Sequence, residues 1–151
     1  MSDLRELYQE VIFDHNRSPR NFGKLDDANR TAEGYNPVCG DQVKLYVRVE
    51  DGVIKDVSFD GQGCAISTAS ASIMTEALKG KTEQEAETYF KSFQALVTGE
   101  GEADDSLEEM FKLEVLGGVR EFPMRVKCAT LPWHTINAAL ENKSDSVTTE
   151  K

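Results

Sequence analysis

The chain has 151 residues, with 17 Lys+Arg against 27 Asp+Glu and a formal net charge of −10. That length suits one domain, large enough to bury a core without disulfides. The acidic excess argues against nucleic acid as a partner, because phosphate contacts need clustered Lys and Arg, and equally against anionic membrane surfaces.

Leu4, Leu7, Tyr8, Val11 and Ile12 recur at three- and four-residue spacing and predict an amphipathic helix ending near Asn16, ahead of Pro19 and Gly23. Residues 29–34 read as an edge strand. Residues 43–50 alternate, with Val43, Leu45, Val47 and Val49 on one face and Lys44, Tyr46, Arg48 and Glu50 on the other. Asp51-Gly52 supplies a hairpin turn into a further strand through Val53, Val57 and Phe59. After Gly61-Gln62-Gly63, helical spacing runs from Ile66 through Ala69, Ile73, Met74, Ala77 and Leu78 to Gly80. Thr82-Glu83-Gln84-Glu85 is a capping-box pattern opening another helix with Ala86, Tyr89, Phe90, Phe93, Leu96 and Val97 on its face.

Residues 99–105 read as an acidic loop, and Ser106-Leu107-Glu108-Glu109 as a second capping box opening a short helix. The acids Glu100, Glu102, Asp104, Asp105, Glu108 and Glu109 then form a solvated acidic surface. A last helix begins near Pro123, where Pro132 predicts a kink or restart. The expected fold class is α+β, a small three-stranded antiparallel sheet with helices packed on one face. One domain over residues 1–141 precedes a polar, patternless tail at 142–151, read as disordered.

No run approaches the ~18 consecutive apolar residues of a spanning helix. The first residues lack the apolar stretch of a secretory signal, so a cytoplasmic location is expected. Cys39, Cys64 and Cys128 are then reduced thiols, each compatible with a buried hydrophobe, a metal ligand or a nucleophile. Cys39-Gly40-Asp41 reads as a loop just before a strand, with Cys39 and Asp41 two apart and able to reach one ion. Cys64 lies at a predicted helix start, where the dipole favours an anion. Cys128 follows Arg125 by three residues, on one helix face. Three thiolates and a carboxylate would make a four-ligand set suited to Zn²⁺, although no Cys-x-x-Cys pair is present. His15 reads as a charge at a helix C-terminus and His134 as a surface histidine, while Trp133, Phe90 and Phe93 read as core.

Cys39-Gly40-Asp41, Gly61-Gln62-Gly63-Cys64-Ala65-Ile66-Ser67 and Arg125-Val126-Lys127-Cys128-Ala129-Thr130-Leu131 resemble the iron–sulfur assembly proteins of the IscU/NifU family. The likeness spans about residues 4–140. Within the family the chain resembles the SufU type: Lys127 stands where IscU scaffolds carry His, the Leu-Pro-Pro-Val-Lys chaperone motif is absent, and an acidic stretch is inserted around residues 99–116. The resemblance implies Zn²⁺ held by Cys39, Asp41, Cys64 and Cys128. It implies a sulfurtransferase in which Cys39 accepts persulfide sulfur from a pyridoxal-phosphate cysteine desulfurase of the SufS type. Arg125 is expected to contact that partner, and a SufBCD-like scaffold is the implied downstream acceptor. The alternative is a scaffold on which a [2Fe–2S] cluster is assembled and passed to apo-proteins.

Overall fold

A computed structural model describes residues 2–37, 40–98, 123–141 and 147–148. The elements run α1 (Ser2–Arg17), β1 (Arg30–Asn36), β2 (Asp41–Glu50), β3 (Val53–Gln62), α2 (Ala65–Leu78), α3 (Glu83–Thr98), α4 (Pro123–Leu140) and β4 (Val147–Thr148). The acidic loop and short helix expected between residues 99 and 116 lie outside the described residues.

Strands β1, β2 and β3 form the expected three-stranded antiparallel sheet, with β2 in the centre. Alternation explains which side chains go inward: Val43, Leu45, Val47 and Val49 are buried on the face that the helices cover. Tyr46 departs from that alternation. It is buried on the opposite face, where Lys44 lies over its ring and Asp60 accepts its hydroxyl hydrogen bond at 2.9 Å. Burial, reinforced by the Asp60 carboxylate, pushes the Tyr46 phenol up to about 12.

The sheet carries one addition. Val147 and Thr148 pair in parallel with Gly34 and Tyr35 on the outer edge of β1. The sequence leaves 142–151 without structure, and that reading does not hold for these two residues. A two-residue strand in a polar segment leaves no periodic signal to read; the open edge of β1 supplies the partner.

Between sheet and helices lies one apolar cluster in which Leu45, Val57, Ile73, Met74, Phe93 and Trp133 meet. Phe93 and Trp133 are buried, as expected of core residues, and their rings stack at 4.8 Å. The Thr82 capping box is formed: Glu85 N–H donates to Thr82 Oγ1 and Thr82 N–H to Glu85 Oε1, both at 3.0 Å. α4 runs continuously through Pro132. A proline costs one helical hydrogen bond, and here Leu131 and Trp133, both fully buried, anchor the helix on either side.

His15 does not act as an exposed helix-end charge. It is buried, its Nδ1 lies 2.6 Å from Ser72 Oγ on α2, and its Nε2 is 3.8 Å from Glu76. The neighbouring residues tie the same two elements together. Asn16 Nδ2 donates to Ala65 O at 2.9 Å, Arg20 N–H to Ser72 Oγ at 2.9 Å, and Asn21 Nδ2 to Thr75 Oγ1 at 3.1 Å. The end of α1 and the residues after it thus grip α2 along its length. His134 is exposed, as expected, with its ring edge-on to Phe90; the desolvation this brings lowers its pKa.

α4 lies directly on β1. A Cβ added at Gly34 would fall 2.0 Å from Thr135 Oγ1 and 3.0 Å from Leu131 Cδ1, so only glycine allows this approach. Overpacking of this kind costs typically ~1–3 kcal/mol. Gly34→Ala should lower the thermal unfolding midpoint accordingly, and an unchanged midpoint would show that α4 can shift without loss.

Candidate metal centre

Asp41 is the first residue of β2, not part of the loop before it, and is buried at 2% exposure. Antiparallel register sets it opposite Asn36, the last residue of β1. Gly40, at φ +75°, makes the turn that leads into β2, a conformation that L side chains avoid. Cys39 lies outside the described residues.

Cys64 is the N-cap of α2, as its place after Gly61-Gln62-Gly63 led us to expect. Its backbone is extended, and its Sγ accepts a hydrogen bond from Ser67 N–H at 3.4 Å. A thiol in this position satisfies one of the helix's otherwise unpaired first donors, the task usually given to Ser or Asp. The Cys64 backbone N–H donates in turn to Asp41 Oδ1 at 2.8 Å, and Cys64 Sγ lies 4.0 Å from Asp41 Oδ2. Gly63 makes room for this contact: a Cβ there would sit 2.9 Å from Asp41 Oδ1.

Cys128 comes from α4, buried at 2% exposure. The packing of α4 on β1 brings it to Asn36, whose Nδ2 is 3.4 Å from Cys128 Sγ. One ligand atom each from Asp41, Cys64 and Cys128 lie within 4.8 Å of one another. Among the described residues, then, three of the four ligands expected from the sequence converge. Two thiols and a carboxylate, mostly withdrawn from solvent, are a donor set that Zn²⁺ accepts. Arg125 belongs to the first turn of α4, one turn before Cys128. His15 and His134 stand apart from the group: one is engaged with Ser72, the other packs on Phe90.

Asn36 was not singled out from the sequence. It is fully buried, and its Nδ2 also donates to Asp41 Oδ2 at 3.2 Å. The signal was present in the two-residue period of β1: Ala32, Gly34 and Asn36 share the inward face. Extending the predicted edge strand by two residues would have exposed a polar side chain pointing at the core.

Residues 7–129 match the model of the NifU-like N terminal domain. The chain is 42% identical over 135 residues to the zinc-dependent sulfurtransferase SufU of Bacillus subtilis (strain 168), covering 89% of this chain and 90% of that protein. The chain belongs to the NifU-like N-terminal domain family, as a SufU-type member. It is also 37% identical over 146 residues to the iron–sulfur cluster assembly scaffold protein IscU of Streptococcus pyogenes serotype M1, across 97% of this chain and 90% of the relative. Its fold is similar to the crystal structure of the SUF-system protein FiSufU from the thermophile Fervidobacterium islandicum AW-1. That comparison gives a TM-score of 0.81 and 40% identity, covering 87% of this chain and 94% of the other. The family places the chain in iron–sulfur cluster assembly. Among the described residues, no helix is long and apolar enough to cross a membrane.

The Asp41–Cys64 contact can be tested apart from any ligand. Gly63→Ala forces the carboxylate away from the Cys64 N–H, a hydrogen bond to a charged group worth ~1.5–3 kcal/mol. The expected result is a folded protein whose unfolding midpoint falls by ~2–4 °C per kcal/mol lost, with faster exchange of the Cys64 amide. Unaltered exchange at Cys64 would show that Asp41 does not hold the start of α2.

Proposed function

We propose that this chain is a zinc-dependent sulfurtransferase that accepts persulfide sulfur from a pyridoxal-phosphate cysteine desulfurase for iron–sulfur cluster biogenesis. The observation that carries the reading is the convergence of Asp41, Cys64 and Cys128 within 4.8 Å. The likeness to a relative named for zinc-dependent sulfur transfer supports it. Cys39, two residues before Asp41, is the proposed fourth ligand and the sulfur acceptor.

Bound zinc would keep the thiols deprotonated without redox chemistry of its own. The transfer itself falls to Cys39. Its thiolate attacks the outer sulfur of the desulfurase persulfide, R–S–SH. A bond forms from Cys39 Sγ to that sulfur as the bond to the desulfurase cysteine breaks. The electron pair leaves on that cysteine as a thiolate, and Cys39 carries the –S–SH group. Sulfur moves with its electrons balanced, so no oxidant or reductant is needed. Arg125, one turn from Cys128, is the proposed contact for the desulfurase, and a SufBCD-like scaffold the proposed recipient.

The direct test is desulfurase turnover, followed as alanine release, with and without this protein. Wild type should accelerate turnover, and Cys39→Ala should return it to the rate without added protein. Equal stimulation by Cys39→Ala would remove Cys39 from the role, and no stimulation by either form would overturn the transferase reading. A second reading, a [2Fe–2S] scaffold, is favoured by the likeness to IscU along 97% of this chain. Formation of a cluster that passes to an apo-acceptor would select it.

Metal removal gives an independent prediction. The core around Leu45, Ile73, Phe93 and Trp133 does not include the three candidate ligands. Chelation should therefore lower the melting temperature while the helical circular dichroism survives, unlike zinc-finger peptides, which unfold without metal. Unfolding on chelation would make zinc a structural element instead.

A further inference from the structure

Asn36 stands between two candidate ligands that come from different parts of the chain. Its Nδ2 is 3.2 Å from Asp41 Oδ2 on β2 and 3.4 Å from Cys128 Sγ on α4, and the residue is 0% exposed. A side-chain amide offers two N–H donors and no charge. It can therefore serve a carboxylate and a thiolate at once, each a stronger acceptor for being ionised. Asp41 fixes the amide's orientation, because turning Oδ1 toward the carboxylate would oppose two oxygens. Burying an amide is costly unless its hydrogen bonds are made, so this position is polar because of what it faces.

We propose that Asn36 is a positioning residue of the metal site: it holds the Asp41 carboxylate and the Cys128 sulfur facing Cys64 and offsets the repulsion among anionic ligands. Backbone pairing holds Asn36 opposite Asp41, and the packing of Gly34 against Thr135 holds β1 against α4. The amide thus sits in a rigid frame, as a partner that orients metal ligands must. The inference rests on the metal-binding reading above.

The test uses the full chain. Zinc affinity is measured by competition with a chromophoric chelator for wild type, Asn36→Ala and Asn36→Leu, the last of similar volume without a donor. Both variants should bind zinc about 10–100-fold more weakly while retaining the wild-type circular dichroism. Wild type loaded with ¹¹³Cd²⁺ adds a readout that a purely structural asparagine would not move: the Asn36 side-chain amide proton should couple to cadmium through Cys128 Sγ. Affinity within about twofold of wild type in a folded variant overturns the proposal. So does a cadmium–thiolate site with no coupling to Asn36, and that spectrum decides the matter if the variants fail to fold. A wild-type chain that binds neither zinc nor cadmium overturns the metal-binding reading, and this inference with it.

Discussion

A single buried carboxylate organises this end of the molecule. Asp41 ends the turn from β1, begins the central strand, and accepts the N–H of Cys64, the N-cap of α2, through one oxygen and the Asn36 amide through the other. An ion withdrawn from water costs on the order of several kcal/mol unless its hydrogen bonds are replaced, and here protein donors replace them. One side chain therefore ties β1, β2 and the start of α2 together and places Cys64, while packing of α4 on β1 adds Cys128. The sheet provides stiffness, the helices provide cover, and the carboxylate decides where they meet.

The local chemistry of the fold was legible in the sequence. Valine alternation gave β2 its faces, the Thr82–Glu85 pattern gave α3 its start, and the glycines before Cys64 gave α2 its cap. Each is a signal contained within a few residues. What the sequence left open was long-range. His15 looked like a helix-end charge because nothing nearby reveals Ser72, 57 residues away. Pro132 looked like a break because the burial of Leu131 and Trp133 on both sides belongs to tertiary packing, not to the helix itself. The partial strand at Val147 is intelligible only beside the edge it covers.

The site divides in the same way. Cys64 at a helix start could be argued from pattern, and the pairing of Cys39 with Asp41 from their spacing. That Cys128 meets Asp41 and Cys64 could be entertained from the donor types but not placed, since no residue spacing predicts that α4 crosses β1 at Gly34. Asn36 was missed because the predicted edge strand stopped at residue 34, two residues short of it. Its meaning lies in the strand period that carries it inward.

The origin of the ligands in the chain has a consequence for biosynthesis. Asp41 and Cys64 lie 23 residues apart on elements joined by a local hairpin, whereas the contact between Asn36 and Cys128 spans 92. Local contacts form early and distant ones late, and chains fold from the N-terminus as they are made. A chain made only short of residue 128 holds both partners of the Asp41–Cys64 contact but lacks the sulfur that Asn36 meets. Packing of α4 on β1 brings in that buried sulfur. The Asn36–Cys128 contact therefore needs the chain complete to residue 128, whereas the Asp41–Cys64 contact does not.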